Sequence, residues 1–372
     1  MKTSAAVGRW LRPWQVVLLI AAVYVGLTLA RFEGDPLSFV IIGTRFDPGL
    51  PGGTQGYDGQ FAYQIARDPL GAAPYLDVPA YRYQRILYPL LARCLSLGNE
   101  RLLPWTLILI NLIALPAGTA LTEAILAHQG LCRWYAMTYG LFIGLLMPVR
   151  LDLTEPLAYL LVQAGVLAVR RGRLGAGALW FMLAALTRET TLLFVAGYAL
   201  SLLASRRWRT ALRWAAAATA PFLLWQALLY LWLGRWGIGS GGEFATPFQV
   251  VPFRGWWIIA RFNPVGFVVM SLLVLPLALL PAVFALLAAL RTLLKGERGP
   301  EVWTLLLHAL VFPFLPTSNV LDPLGLARFT AGLVVATLDY GAAQHARRAL
   351  NYALLWTLTA IFLFNDAFLP GG

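Results

Sequence analysis

The sequence predicts an all-α polytopic membrane protein with about 11 transmembrane segments, and three observations lead to this class. Of its 372 residues, 59% are hydrophobic and 12% are charged, and the mean hydropathy is +0.69, well above that of soluble domains. Apolar runs that span or nearly span a bilayer recur along the whole chain. Short clusters of basic residues separate these runs. We therefore expect a single transmembrane domain over residues 1–372.

The apolar runs define the predicted segments in chain order. The first, "WQVVLLIAAVYVGLTLA", has no small-residue cleavage signature after it, so we expect a retained helix rather than a removed signal peptide. The predicted segments cover residues 12–31, 103–125, 135–149, 155–170, 174–187, 190–204, 211–233, 264–290, 302–316, 329–343 and 350–366.

The charge distribution indicates the orientation of these segments. With the N-terminus in the cytoplasm, the cytoplasmic loops carry the whole formal charge of +12, as the positive-inside rule requires. The basic excess is therefore explained by topology, and nucleic-acid binding is not implied. Cys94 and Cys132 fall on opposite sides, so no disulfide is expected. His128, His308 and His345 lack metal-ligand spacing.

The longest stretch between segments, residues 32–101, is the predicted first extracytoplasmic loop. It contains two helix-like pieces. One starts near Asp58 and continues through "GQFAYQIAR"; the other is "YRYQRILYPLLARCLSL", residues 81–97. Both are too short or too charged to span comfortably, so we expect helices that lie at the membrane interface.

The sequence "LTRET" divides a second ambiguous region, residues 174–204. Basic clusters of cytoplasmic type flank this region on both sides, so an even number of crossings is required. Each half reaches only about 22 Å against a hydrocarbon core of about 30 Å. We therefore expect Arg188 and Glu189 below the outer surface, in a cavity lined by protein. A single kinked helix is the alternative.

Several predicted outer loops carry ionisable groups close to the membrane boundary. Charges at this depth are costly unless they are paired or hydrated, so their convergence on one side predicts a polar site. Arg82 and Arg85 are spaced three apart, which predicts neighbouring positions on one helical face. The loop groups are Asp58; Asp152 with Glu155; Arg188 with Glu189; and Asp322 with Arg328.

Each of these groups also has a purely structural interpretation. Asp58 has the sequence context of a helix cap, and Asp152 and Glu155 could cap the helix that starts near Pro156. Arg188 beside Glu189 could form a structural ion pair with a neighbouring helix. Arg82 and Arg85, named above, could contact lipid headgroups.

One carboxylate among several arginines in a membrane cavity suits the transfer of a group from a lipid phosphate. The carboxylate would act as general base on an acceptor hydroxyl, and the arginines would stabilise the leaving phosphate. Nucleophilic catalysis fits less well, because the sequence shows no Ser, His and Asp arrangement.

At these residues the chain resembles the GT-C glycosyltransferases, polytopic enzymes that use polyprenyl- or dolichyl-phosphate sugars as donors. The blocks "YDGQFAYQIARDP", "LDVPAYRYQRILYPLLAR", "DLTEPLA" and "LTRET" are similar to those of a bacterial family linked to cell-surface glycopolymer formation. The resemblance covers roughly residues 55–200; the C-terminal half resembles the family only in its "LDPLGLARF" loop and general hydropathy. The GPI-anchor mannosyltransferases carry a similar aromatic-Asp-Gly block.

The resemblance implies a role for each matching position. It makes Asp58 the catalytic base, and Arg82, Arg85 and Arg188 donor-phosphate ligands, to which the prediction adds Arg328. The predicted substrate-positioning residues are Tyr57, Gln60, Asp152, Glu155, Glu189 and Asp322.

The expected function is therefore an inverting glycosyltransferase of the bacterial inner membrane. It would take sugar from a polyprenyl-phosphate donor and add it to a cell-envelope glycan or glycolipid on the extracytoplasmic face. No cofactor is expected, and no divalent metal is implied. A transporter or lipid flippase, or a non-catalytic partner in glycopolymer assembly, are the rival hypotheses. A transporter would be expected to have related halves and charges near mid-membrane.

Overall fold

A computed structural model describes residues 11–47, 49 and 53–364, and within them all regular secondary structure is helical. The first half of the chain forms α1 Pro13–Arg31, α2 Leu37–Val40, α3 Gly59–Arg67, α4 Pro79–Tyr83, α5 Leu87–Leu95, α6 Leu103–His128, α7 Met137–Leu141, α8 Ile143–Arg150, α9 Glu155–Arg170 and α10 Leu174–Thr187. The second half forms α11 Leu192–Ala204, α12 Trp208–Leu233, α13 Arg254–Phe262, α14 Pro264–Val274, α15 Leu280–Leu294, α16 Pro300–Val311, α17 Thr317–Leu321, α18 Pro323–Ala343 and α19 Arg347–Ala353.

Shorter helical turns connect some of these helices. A π-helical turn joins α14 to α15, and its Pro276 has no backbone N–H to donate. The 3₁₀ turns are Ala73–Tyr75, Arg133–Ala136, Glu189–Thr191, Phe312–Phe314 and Leu354–Phe364.

Four helical stretches among the described residues are long and apolar enough to cross a membrane. They are Pro13–Arg31, Leu103–His128, Trp208–Leu233 and Leu275–Leu294. The chain is thus an all-helical protein with the character of a membrane protein. Of the remaining predicted segments, 329–343 lies within the 21-residue helix α18, and the others correspond to shorter helices or to helices in pieces.

The first predicted loop holds one of its two helices as expected. The piece after Asp58 is present as α3. The prediction of one helix over residues 81–97 is wrong, because the chain forms α4 and α5 with a break between Tyr83 and Leu87. The indole of Trp225 donates a hydrogen bond to the carbonyl of Tyr83 at 2.8 Å. That carbonyl would otherwise accept from Leu87 in a continuous helix.

The "LTRET" region folds as a helical hairpin. α10 and α11 are separated at Arg188, which has extended backbone angles, and by the 3₁₀ turn that follows. Phe181 and Tyr198, about equally far from this turn along the chain, meet with ring centroids 5.0 Å apart. The chain therefore reverses at "LTRET", as predicted, and the alternative of a single kinked helix is wrong.

The predicted segment 135–149 is also divided. Phe142 adopts extended angles between α7 and α8. The free N–H of Ile143 donates to the hydroxyl of Thr359 at 2.9 Å, and the ring of Phe142 packs edge-on against Trp356. A tertiary contact with the C-terminal 3₁₀ turn thus replaces helical hydrogen bonds.

Helix α9 lies inside the bundle, packed against α6, α10 and α18. Most of its residues are buried, including Glu155 at its start. The start of α9, the start of α18, the tip of the α10–α11 hairpin and the first loop lie together. This junction gathers the polar residues described next.

Candidate active site

Asp58 precedes α3, at the position where a helix-capping side chain would stand. Its backbone is itself helical, with φ −54° and ψ −27°, and its carboxylate makes no capping hydrogen bond. The next residue must be small, since a Cβ at Gly59 would lie 2.3 Å from the carbonyl oxygen of Leu151. The Asp-Gly pair therefore brings the first loop against the loop before α9, and the capping interpretation of Asp58 is wrong.

The carboxylate of Asp58 lies between two guanidinium groups. It accepts hydrogen bonds from Arg82 Nη1 at 2.9 Å and from Arg328 Nη1 at 2.8 Å. Its side chain is 29% exposed, against 9% and 7% for these arginines. Burial alone would raise the pKa of Asp58, but the attraction of Arg82 and Arg328 outweighs burial and holds the pKa well below its usual range. Asp58 is an ionised carboxylate in a partly open position.

Arg328 joins Asp58 to the start of α9. Its Nε donates to Glu155 Oε1, and its Nη1 also donates to the hydroxyl of Tyr57 at 3.1 Å. Glu155 is fully buried and pairs with Arg188 Nη1 at 2.8 Å. The carboxylate of Glu155 makes no capping hydrogen bond and is held by two arginines instead.

Arg82 and Arg85 do not share a helical face, contrary to the prediction. Arg82 lies in the last turn of α4. Its Nε and Nη2 donate to the two carboxylate oxygens of Asp77, both at 2.7 Å. Arg85 lies beyond the end of α4 and binds Glu189 of the hairpin tip through Nη2 at 2.6 Å and Nε at 2.9 Å. The break after α4 turns the two side chains toward different acids. We call this whole group the Asp58 cluster: Tyr57, Asp58, Asp77, Arg82, Arg85, Glu155, Arg188, Glu189 and Arg328.

A cavity of about 290 Å³ opens beside the Asp58 cluster. Arg188 is 6% exposed; its Nη1 pairs with Glu155, and its Nε makes no hydrogen bond among the described residues. Arg188 is thus a buried cation in the wall of this cavity. The lining residues from the predicted site are Tyr57, Asp58, Gln60, Arg82, Arg85, Arg188, Asp322 and Arg328.

Gln60 and Asp322 line the cavity, but their side chains form hydrogen bonds with backbone groups. Gln60 accepts from the N–H of Gly43 at 3.0 Å and donates to the carbonyl of Gln55 at 2.9 Å. Asp322 caps α18 by accepting from the N–H of Leu324 at 3.0 Å. Their geometry indicates that they shape the cavity wall.

Asp152 is a predicted site residue that does not line the cavity of about 290 Å³. It is fully buried, its φ is +49°, and neither carboxylate oxygen has a hydrogen-bond partner among the described residues. Burial raises its pKa well above the usual range, and the nearby Arg150 only partly opposes this effect. Asp152 makes no capping hydrogen bond to α9. It lines a smaller cavity of about 30 Å³ together with Asp58, Arg82, Arg85 and Arg328.

Sequence reasoning missed three charged residues around the site. Asp77 binds Arg82, and it also accepts from the backbone N–H of Glu243 at 3.1 Å. Arg45 pairs with Glu243 at 2.7 Å, and both side chains are partly exposed. Asp77 stands in the quoted block "LDVPAYRYQR" five residues before Arg82, and that spacing is the only sequence signal for the pair.

Two remaining alternatives can now be compared with the geometry. Arg188 pairs with Glu155 at the start of α9, and Glu189 pairs with Arg85, so the alternative of a structural ion pair with a neighbouring helix agrees with the geometry. Arg82 and Arg85 are directed to protein carboxylates. Within residues 11–47, 49 and 53–364, no group of three or more His, Cys, Asp and Glu side chains could hold a metal ion.

Comparison of the chain with protein-family models, with curated proteins and with solved structures gave no significant match. The candidate site therefore stands on its own geometry.

Proposed function

We propose that the protein is an inverting membrane glycosyltransferase that uses a polyprenyl-phosphate sugar as donor and a cell-envelope glycan or glycolipid as acceptor. One observation carries the proposal: the ionised carboxylate of Asp58 lines the same cavity as four guanidinium groups, those of Arg82, Arg85, Arg188 and Arg328. A carboxylate can accept the proton of an acceptor hydroxyl, and a guanidinium can bind a phosphate through paired N–H groups.

The proposed topology has about 11 segments in a bacterial inner membrane, with a cytoplasmic N-terminus and an extracytoplasmic site. It is supported by the four long apolar helices and by the reversal of the chain at "LTRET" between two basic clusters. The short loop helices α3, α4 and α5 would lie at the interface and position the lipid headgroup.

The proposed reaction is a single displacement at the anomeric carbon. The acceptor oxygen forms a bond to this carbon while its proton passes to Asp58. The bond between the anomeric carbon and the phosphate oxygen breaks, and polyprenyl phosphate leaves with the electron pair. Attack opposite to the leaving group inverts the configuration. Arg188 and Arg328 would stabilise the charge that develops on the phosphate, without a metal.

Charge balance adds a requirement to this mechanism. Each arginine of the Asp58 cluster already faces a carboxylate, so an incoming phosphate must compete with carboxylate oxygens. When the phosphate takes N–H groups from Arg82 or Arg328, the attraction that lowers the pKa of Asp58 weakens. Donor binding would therefore increase the basicity of Asp58 where an acceptor can use it.

The test is a transfer assay with purified full-length protein, a radiolabelled polyprenyl-phosphate sugar and candidate acceptors. We expect transfer by the wild type and a loss of about 100-fold or more in Asp58→Asn. Glu100→Gln is the matched control, because Glu100 is an exposed acid of the same loop, with a 62% exposed side chain. Undiminished transfer by Asp58→Asn would exclude Asp58 as the base. Failure with every donor would favour the rival functions.

A transporter or flippase is the second candidate, because the opposite end of α9 also carries buried charges. Arg170 pairs there with Glu301 at 2.8 Å. A lipid flippase would move fluorescent polyprenyl phosphate across a liposome bilayer without any change in its sugar. Such movement without transfer would replace the enzyme hypothesis.

A further inference from the structure

The cavity beside Asp58 has two chemically different sets of lining residues. One set consists of the charged residues of the Asp58 cluster. The other includes aromatic rings and neutral polar side chains: Phe46, Phe61, Tyr81 and Phe244, with Gln55, Gln60, Ser318 and Asn319. A phosphate needs only the first set, so the second set indicates that the ligand also has a neutral part.

The rings of Phe244 and Phe46 are held in place by contacts with neighbouring loop residues and with the Asp58 cluster. Arg45 lies 4.8 Å from the ring centroid of Phe244, which is still half-exposed. Phe46 packs edge-on against Phe61 at 5.4 Å, and the guanidinium of Arg82 lies 4.1 Å from the Phe61 ring. Phe61 thus connects the aromatic side of the cavity directly to an arginine that binds Asp58.

The segment around Phe244 is fixed by polar contacts on each side. Glu243 binds Arg45 through its side chain and Asp77 through its backbone N–H. Thr246 and Ser318 exchange hydrogen bonds at 3.1 Å. Three separate loops therefore build this side of the cavity, and its shape depends on all of them.

The lining and the volume together indicate a ligand class. A sugar ring has an apolar C–H face that can stack on an aromatic ring and hydroxyls that can bond to amides and hydroxyl groups. A cavity of about 290 Å³ is at the small end of ligand sites and limits the bound unit to about one ring with its phosphate. The four arginines of the lining, Arg82, Arg85, Arg188 and Arg328, already face carboxylates and would bind the phosphate. An acidic sugar would therefore gain no further cation from the lining and would lie near Asp58, Asp77 and Asp322.

We infer that the aromatic and amide side of the cavity is a subsite for one uncharged monosaccharide, the sugar that the donor phosphate carries. Phe244 and Phe46 contact the ring, and Gln55 and Asn319 bind its hydroxyls. This inference rests on the proposed function and narrows its substrate class: the donor carries a neutral sugar rather than a uronic acid or a phosphorylated sugar.

The test measures the binding of farnesyl phosphate, farnesyl-phosphoryl glucose and farnesyl-phosphoryl glucuronic acid to full-length protein in nanodiscs. The wild type binds the glucosyl ester more tightly than farnesyl phosphate and than the glucuronosyl ester. Phe244→Ala weakens binding of the glucosyl ester about tenfold and leaves farnesyl phosphate unchanged. Phe248→Ala changes neither affinity; Phe248 is an exposed ring of the same loop that packs against Phe329.

The possible failures are distinguishable. If Phe244→Ala binds the glucosyl ester as tightly as the wild type, or if the glucuronosyl ester binds as tightly as the glucosyl ester, the subsite is overturned and the phosphate site stands. If the wild type binds none of the three lipids, the proposed function and the subsite are both overturned.

Discussion

Two groups of buried ion pairs lie at opposite ends of α9, about 22 Å apart along its axis. At the start of the helix, Glu155 belongs to the Asp58 cluster. At its end, Arg170 pairs with Glu301 and donates to the carbonyl of Asp339 at 3.1 Å. The carboxylate of Asp339 accepts from Gln163 at 3.3 Å. We call this second group the Arg170 cluster: Gln163, Arg170, Glu301 and Asp339.

The two clusters contain similar residue types but differ in access. Asp58 has a side chain that is 29% exposed, whereas Asp339 is only 3% exposed as a residue. The first cluster borders a cavity of about 290 Å³. Buried charge is common to both clusters, so it does not by itself mark a candidate site. Access to a cavity is the additional requirement.

The largest expected effect is on transfer by Arg328→Lys. Arg328 contacts Asp58, Glu155 and Tyr57 at once, and a single ammonium group cannot reproduce the planar fork of a guanidinium. We expect transfer to fall by about 100-fold or more in a radiolabel assay. Arg170→Lys, the same change in the Arg170 cluster, should transfer within about twofold of the wild type per folded protein. Equal losses in both variants would contradict the division into a site and a structural pair.

The next effect concerns stability and should be found in the Arg170 cluster. Glu301→Gln leaves the buried cation of Arg170 without its carboxylate partner, which should lower the free energy of unfolding by about 3 kcal/mol. Unfolding in mixed micelles provides the measurement. Glu243→Gln is the control, because the pair Arg45–Glu243 is 44% and 39% exposed and should contribute less than about 1 kcal/mol. A larger loss in the control would show that burial does not decide the strength of these pairs.

A smaller effect should appear in ligand binding by Asp58→Asn. The substitution removes the carboxylate that competes with a phosphate for Arg82 and Arg328. Affinity for polyprenyl phosphate should therefore rise, by about tenfold or 1.4 kcal/mol, although transfer is lost. Asp339→Asn should leave this affinity unchanged. Weaker binding by Asp58→Asn would mean that Asp58 orders the arginines for the phosphate rather than competing with it.

The sequence predicted the elements that hydropathy and charge determine. The long apolar runs appear as α1, α6 and α12, and like basic flanks predicted the reversal at Arg188. Breaks caused by distant side chains were missed, because Trp225 reaches Tyr83 across 142 positions of sequence. A local pattern contains no information about such a contact.

The polar residues were predicted better than their partners. The structure brings Asp58, Arg188 and Arg328 together as expected, because charges that cannot face lipid collect at one cavity. The partner choices, such as Asp77 for Arg82, depend on loop geometry. Asp152 shows the limit of the reasoning: its sequence position beside Glu155 resembles a site residue, yet its carboxyl is enclosed and makes no hydrogen bond among the described residues.

Asp152 provides the smallest and most specific test, through the pH dependence of unfolding. Burial raises its folded pKa above the unfolded value of about 3.9. Its contribution to stability is therefore complete below about pH 4 and is lost as the pH rises toward the folded pKa. The contribution of Asp58 to stability has the opposite pH dependence. Arginines lower the pKa of Asp58, so its contribution is present above about pH 4 and is lost as the pH falls. The stability of the wild type should thus fall as the pH rises above about 4, and Asp152→Asn should not show this fall. The measurement is the unfolding midpoint against pH. Parallel profiles for variant and wild type would mean that Asp152 is ionised in the folded protein. In that case the number of arginines beside each carboxyl would not explain why the pKa of Asp58 is lowered and that of Asp152 is raised.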